Sequence, residues 1–291
     1  MTKIKNGLYV VATPIGNLGD LSARALEVLN TVDKIACEDT RVTGKLLSRF
    51  SINTSMMVYH DHNASKVRPG LMADLKQGLA IALVSDAGMP AISDPGYKLI
   101  QACIEDTIPL TVLPGANAAL TGLVQSGLPT NRFLFQGYLP AKSGARLSEL
   151  GELSGIPATL IFYESGKRLA RSLADMASVL GDRSASVARE LTKLHEEVRR
   201  GSLAGLAAVY GATGAPKGEI VVVVAPPEAP SPPDELELEV MLAGRLGHLS
   251  VKDAASEVAQ ITKMPRKTLY NMAVRLQREL DGENEDDDGR V

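Results

Sequence analysis

The 291-residue sequence reads as an α/β protein: two successive α/β units, then a small helical one. Three observations predict this. Short β-rich apolar runs alternate with helix-like stretches over residues 8–115, the pattern of a parallel sheet covered on both faces. The alternation resumes from about residue 118 and ends on Ile220-Val221-Val222-Val223-Val224, an unbroken β-branched run that reads as a central buried strand. Five prolines within residues 225–233 then mark an extended linker, and the pattern beyond it is helical.

The elements follow in order. In the first unit, Leu8-Tyr9-Val10-Val11-Ala12 predicts a strand, and residues 21–31 the helix after it, with Asp20 as its N-cap. Lys34-Ile35-Ala36-Cys37 and Met56-Met57-Val58-Tyr59 are the next strands. A helix over 40–50 separates them, and another over 71–78 follows a polar stretch. Ile81-Ala82-Leu83-Val84, a helix over 97–105 and Leu110-Thr111-Val112-Leu113 complete a first domain of residues 1–117. The second domain, 118–225, takes strands at Phe133-Leu134-Phe135, 159–163, 185–189 and 220–224, with helices near 168–180 and 203–209. After the linker, 226–233, comes a helical domain over 234–280. Ser250 and Asp253 have the spacing of a capping box opening a helix over 251–262. Lys263-Met264-Pro265 breaks it and a second helix restarts at 266, a helix–turn–helix outline. Residues 281–291 hold six acids and one arginine and read as an acidic disordered tail.

An apolar fraction of 45% with 22% charge belongs to an ordinary globular chain and excludes wholesale disorder. No apolar run approaches the ~18–20 residues of a membrane span, and the first residues carry no secretory pattern. Cys37 and Cys103 form no disulfide framework and no metal-ligand spacing, which fits a reducing cytoplasm. The net charge of −3 argues against a nucleic-acid partner at first sight. The acidity is a property of the tail, however: without residues 281–291 the chain is +2, and residues 250–280 alone carry +3.

The loops at the strand ends carry the chemistry, because open parallel sheets bind ligands there. Thr13-Pro14-Ile15-Gly16-Asn17-Leu18-Gly19 lacks the glycine spacing of a phosphate cradle, which argues against NAD, FAD and P-loop nucleotides. Residues 85–96 pack two Gly, two Pro, two Asp and two Ser into twelve positions, a bias that favours a ligand loop. Pro114-Gly115-Ala116-Asn117-Ala118 opens a helix with small residues against the same edge. Glu38 and Asp39 before Arg41 suit either a ribose or a helix cap with a local ion pair. Arg41, Lys45 and Arg49 share one helix face, either a solvated face or a phosphate track. His60 and His62 flank Asp61, but the other histidines, His195 and His248, are far off in sequence, so a polar substrate-facing loop is expected and no metal. Glu190 and Lys193 follow a strand directly, where acid–base groups sit in α/β enzymes, although a solvated helix start has the same composition. Lys217-Gly218-Glu219 is a turn that would line the same cleft.

Taken in order, the segments 8–18, 36–41, 85–96, Pro114-Gly115, Ser126-Gly127-Leu128, Arg189-Glu190-Leu191-Thr192-Lys193 and Lys217-Gly218-Glu219 resemble the tetrapyrrole-methylase-type S-adenosylmethionine methyltransferases. Within that family they are similar to the branch that acts on small-subunit ribosomal RNA. The resemblance spans about residues 7–225 and continues through Leu249-Ser250-Val251-Lys252-Asp253-Ala254-Ala255. It implies two α/β domains with S-adenosylmethionine in the cleft between them, a cytoplasmic homodimer, and 2′-O-methylation of a cytidine ribose in 16S rRNA at the decoding region of the 30S subunit. It places Pro14, Asp86, Ala87, Gly88, Ile92, Ser93, Asn117 and Ala118 on the cofactor, with Tyr163, Lys217, Gly218 and Glu219 nearby. A ribose hydroxyl needs a base or a cation beside it; Glu190 is the candidate base, with Lys193 or Arg41 as electrostatic helper. Arg41, Lys45, Arg49, Lys167, Arg168, Lys252, Lys263, Arg266 and Lys267 are expected on the RNA. Two positions depart from the family pattern. Asn117 stands where a small hydroxyl residue is common, and Glu164-Ser165-Gly166-Lys167-Arg168 stands where Glu-Ser-Pro-His-Arg is common. Two other readings stay open: a methyltransferase of the same fold acting on a small tetrapyrrole, and a ligand-sensing DNA-binding regulator.

Overall fold

Strands that are apolar on both faces need cover on both faces, and the first sheet obeys this. The structure is a computed structural model describing residues 4–228 and 233–285, with backbone alone for 281–285. β1 (Gly7–Val11) and β4 (Ala80–Val84) are buried at every position. With β2 (Lys34–Cys37), β3 (Met56–Val58) and β5 (Leu110–Leu113) they form an all-parallel sheet in the order β3-β2-β4-β1-β5. The crossovers are α1 (Ala23–Thr31), α2 (Thr40–Arg49), α3 (Ala64–Lys76) and α4 (Tyr97–Glu105). Alternate residues of β1 serve opposite faces: Tyr9 and Val11 join Leu29 and Ile35 on one side, Leu8 and Val10 join Leu71 and Leu99 on the other. Each such fully buried aliphatic side chain contributes roughly 1.5–3 kcal/mol.

The second sheet is mixed. Its strands are β6 (Phe133–Tyr138), β7 (Thr159–Ser165), β8 (Ser184–Arg189), β9 (Glu197–Ser202) and β10 (Glu219–Val224), in the order β6-β7-β10-β8-β9. Only β6 and β7 run parallel; the other neighbours are antiparallel. The β-branched run is β10, buried between β7 and β8. The helices α6 (Ser143–Leu153), α7 (Gly166–Leu180) and α8 (Leu203–Thr213) supply Leu150, Leu169 and Leu203 to the core on one face. α5 (Ala118–Ser126) covers the other, with Ala119 and Leu123 against Ile161, Val221 and Val223.

The chain divides into two compact units, Met1–Pro227 and Glu228–Val291. The second contains α9 (Glu235–Leu246), α10 (Val251–Thr262) and α11 (Arg266–Glu285) around its own core of Leu238, Leu242, Ala254, Val258 and Leu269. Asp234 and Glu237 make a reciprocal capping box at α9. Ser250 accepts from the Asp253 N–H at 3.2 Å to start α10, and Lys263 ends it in a left-handed conformation, φ 59°. Among the described residues no helix is long and apolar enough to cross a membrane.

Five local expectations are corrected. Asp20 belongs to a short 3-10 turn, and Ser22 caps α1, accepting from the Ala25 N–H at 3.1 Å. α3 begins at Ala64 and runs through Pro69 and Gly70; both are exposed, so water meets the carbonyl that proline leaves free. α6 was hidden in a segment with little apolar periodicity. Residues 197–202, part of a mixed-charge stretch that suggested a helix start, are the edge strand β9, whose exposed arginines blunt an open sheet edge. α11 continues to Glu285, so the acidic tail does not begin at 281. Residues 286–291 and the linker centre 229–232 lie outside the described residues.

One departure from the family pattern has a steric reason. A Cβ on Gly166, at the start of α7, would stand 1.7 Å from the Pro216 carbonyl oxygen, so the loop leading into β10 approaches through space that any other side chain fills. Gly166→Ala is expected to lower stability by about 1–3 kcal/mol, seen as a melting temperature lower by roughly 5 °C; an unchanged melting curve would show that the loop yields freely.

Candidate active site

The carboxyl ends of β1, β2, β4 and β5 and the ends of β6, β7 and β10 surround a cavity of about 280 Å³. Its floor is the loop after β4. Thr13 and Gly88 exchange two backbone hydrogen bonds, 2.9 and 3.1 Å, tying that loop to the one after β1. Gly88 takes φ +80° and leaves Ile15 close against it, a conformation that suits glycine. Ala91 and Ser93 hold φ of 68° and 59° without being glycines; such strained backbone collects at ligand sites.

One wall is acidic. Glu38, Asp86 and Asp94 all line the cavity. Burial raises each above its ordinary range, and neighbouring carboxylates add to it, Asp86 for Glu38, Asp39 for Asp86 and Glu38 for Asp94. Asp94 is pushed furthest, to about 6, by burial first and by the Glu38 charge second. The rest of the lining is largely apolar and aromatic. Ile15, Leu191 and Val221 lie there with Tyr138 and Tyr163, whose rings meet edge to face at 5.6 Å. Burial pushes the Tyr163 hydroxyl up to about 12.

Most of the expected cofactor residues come together here. Asp86, Ala87, Gly88, Ile92, Ser93, Asn117, Ala118, Tyr163 and Glu219 all line the cavity. Asn117 caps α5, accepting from the Leu120 N–H at 3.0 Å, a task that asparagine performs as well as serine or threonine. Pro14, Lys217 and Gly218 stand beside lining residues without contributing to the wall. Glu38, Met89, Asp94, Tyr138, Leu191 and Ile220 complete it. Glu38 and Asp94 were visible as acids at strand ends; Tyr138 had no signal, since only pairing of β6 with β7 brings it round.

Glu190 and Lys193 do not line the cavity. The Lys193 ammonium lies 2.9 Å from both Glu190 Oε1 and Glu219 Oε2. That hydrogen bond holds the Glu190 carboxyl below its ordinary range. Burial opposes the Lys193 charge, but the bonds to Glu219 and Glu190 outweigh it and hold the ammonium above its usual value. A carboxylate so paired is a weaker proton acceptor than Asp94. The loop does a different job: the Thr192 hydroxyl accepts from the Asn17 N–H at 3.0 Å, joining the loop after β8 to the one after β1. Arg41 lies outside the cavity, exposed and hydrogen-bonded to Asp39 at 2.5 Å, and holds that carboxyl down to about 2.

The expected RNA cations divide into two sorts. Lys45 and Arg49 are exposed on α2, Lys167 on α7, Lys252 at the start of α10, and Lys263, Arg266 and Lys267 around the turn between α10 and α11. Arg168 is spent internally: its Nη2 donates to the Leu139 and Pro140 carbonyls at 2.6 and 3.2 Å, and its Nε lies 3.3 Å from the buried Glu164. His60 and His62 meet edge to face at 5.8 Å, and His60 Nδ1 accepts from the Asn63 N–H at 3.2 Å. Among the described residues no three His, Cys, Asp or Glu side chains gather as a metal site.

Comparison with known proteins agrees with this architecture. Residues 7–207 match the family of Tetrapyrrole (Corrin/Porphyrin) Methylases, and residues 232–277 match the RsmI C-terminal HTH domain. The chain is 46% identical over 283 residues to a Ribosomal RNA small subunit methyltransferase I of Mesorhizobium japonicum, covering 97% of this chain and 96% of that one. It is 51% identical over 270 residues to the protein of the same name from Erythrobacter litoralis, covering 93% and 95%. In fold it is similar to a uroporphyrin-III C-methyl transferase of Thermus thermophilus complexed with S-adenyl homocysteine, at a TM-score of 0.53 and 17% identity, over 75% of this chain and 96% of that one. A sheet-bounded cavity of this design, an appended three-helix unit and near-full-length identity to these relatives lead to one assignment: the chain belongs to the tetrapyrrole methylase family of S-adenosylmethionine-dependent methyltransferases and, within it, to the ribosomal RNA small subunit methyltransferase I group.

Proposed function

We propose that the protein transfers a methyl group from S-adenosylmethionine to the 2′-oxygen of a cytidine ribose in 16S rRNA, at the decoding region of the 30S subunit. The observation that carries this reading is the 46% and 51% identity, through both compact units, to relatives named for small-subunit ribosomal RNA methylation. A homodimer working in the cytoplasm completes it. The C-terminal unit supports RNA over a small tetrapyrrole, since cations collect around its helix–turn–helix at Lys252, Lys263, Arg266 and Lys267. The relatives' naming as methyltransferases supports catalysis over ligand sensing by a DNA-binding regulator.

The cavity fits the cofactor on chemical grounds. When bound, S-adenosylmethionine supplies an electrophilic methyl group on a cationic sulfur. Glu38, Asp86 and Asp94 give that cation a negative wall, and Ile15, Leu191, Val221 and Tyr163 give an adenosine an apolar one. The absence of a glycine cradle agrees with a cofactor that has no phosphate. Asp94 is the group poised to accept a hydroxyl proton, because a base works best with a pKa near the operating pH. Ala91 and Ser93, held in left-handed backbone, set the loop that aims it, and such positioning supplies much of the rate in a displacement. The Lys193 pair with Glu190 and Glu219 holds the opposite rim.

Three outcomes are expected. Incubated with labelled S-adenosylmethionine and undermethylated 30S subunits, the protein yields 2′-O-methylcytidine on nucleoside analysis. Label found only in uroporphyrinogen-like compounds would move the substrate to a tetrapyrrole, and no incorporation would leave a binding protein. Cofactor affinity, measured by calorimetry, rises by about three- to tenfold as Asp94 ionises between pH 5 and 7; Asp94→Asn flattens that profile. Deleting residues 234–291 weakens RNA binding and leaves cofactor binding intact; unchanged RNA affinity would remove the C-terminal unit from recognition.

A further inference from the structure

A second cavity, of about 330 Å³, opens between α6 and α7. Four cations line it, Arg146, Lys167, Arg168 and Arg171, against the single carboxylate of Asp175. Two of the four are structural. Arg146 is almost wholly buried; its Nε donates to Asp175 at 2.7 Å and its Nη1 to the Pro140 and Ala141 carbonyls at 3.1 Å each. Arg168 is spent on Leu139, Pro140 and Glu164, as described above. Together they hold the 139–141 segment rigid.

The other two cations are free. Lys167 and Arg171 are exposed, make no hydrogen bond or ion pair among the described residues, and stand one turn apart on the same face of α7. Two uncapped helices begin at this place as well: neither Lys142 before α6 nor Ser165 before α7 makes a side-chain cap. Their first peptide N–H groups add donors to two unpaired positive charges, while the Ser143 hydroxyl donates to Asp175 at 3.4 Å. Such a set suits a compact oxyanion rather than a neutral or cationic group.

The neighbourhood says which anion. Tyr138 lines the first cavity and Ala141 lines this one, and three residues of chain span at most about 10 Å. A strand that places one ribose in the first cavity passes this opening with a neighbouring part of its backbone. We infer that the pocket between α6 and α7 is a subsite for a phosphodiester of the RNA strand, with Lys167 and Arg171 as its ligands on the rigid floor of Arg146. This rests on the reading of the substrate as RNA.

The test is the double variant Lys167→Ala/Arg171→Ala beside the charge-preserving Lys167→Arg/Arg171→Lys. Binding of a short fluorescent single-stranded RNA and of undermethylated 30S subunits is measured without cofactor, over a range of salt. The alanine variant is expected to bind both about tenfold more weakly, with the slope of log K against log salt shallower by about 1. The charge-preserving variant should match the native protein, and the melting temperature and cofactor affinity should not change, since neither side chain has a partner among the described residues. Unchanged RNA affinity and slope in the alanine variant overturn the inference. So does weakened binding to subunits with intact binding to free RNA, which would make the pocket a seat for an acidic protein surface. Failure of the native protein to bind or methylate either RNA would instead overturn the substrate reading.

Discussion

The site depends on one loop being held by two sheets at once. The segment after β1 is bonded in both directions to the loop after β4 through Thr13 and Gly88. The same segment sends Ile15 into the core under the second sheet and donates from Asn17 to Thr192. Neither sheet alone could enclose the cavity, because its acidic wall comes from the first and most of its aromatic wall from the second. α5 makes the arrangement rigid. It leaves the first sheet at Asn117 and packs Ala119 and Leu123 directly on β10, so the distance between the walls is set by a packed core, which deforms little.

Charge is handled differently at the two rims. On the first-sheet side Glu38, Asp86 and Asp94 line the cavity with no cation in its wall, and burial and nearby carboxylates raise all three. On the second-sheet side Lys193 neutralises Glu190 and Glu219 in place. One rim therefore waits for an external positive charge, while the other is already compensated. Leaving carboxylates uncompensated in a half-buried place costs stability, and the packed apolar layers on both sheets offset it.

The first sheet was legible because its signals are local: apolar strands, amphipathic crossovers and a biased loop at a strand end. β10 was legible because five consecutive β-branched residues belong only in a strand covered on both faces. The misread segments have causes of their own. β9 is an edge strand whose charges answer to solvent and to one neighbour, so Glu197-Val198-Arg199-Arg200 carries no burial pattern. α3 was cut short by Pro69-Gly70, a breaker in sequence that sits harmlessly on an exposed turn. In the site, residues on the strand-end loops could be found from composition. Tyr138 and the internal role of Arg168 could not, because both follow from which strand lies beside which. Gly166 looked like a lost proline until the Pro216 carbonyl showed that the space is occupied.

The left-handed Lys263 at the end of α10 has a consequence for how this small unit has been shaped. That backbone conformation costs a non-glycine residue roughly 1 kcal/mol, and glycine is the residue that helix ends usually employ there. The chain keeps a long cationic side chain at the corner instead, one residue ahead of Met264 and Pro265, which lead into α11. Conformational ease is given up at a corner that carries an exposed positive charge between two helices. Thermal stability and surface charge are thus opposed at this residue: a glycine here would ease the backbone and remove the charge.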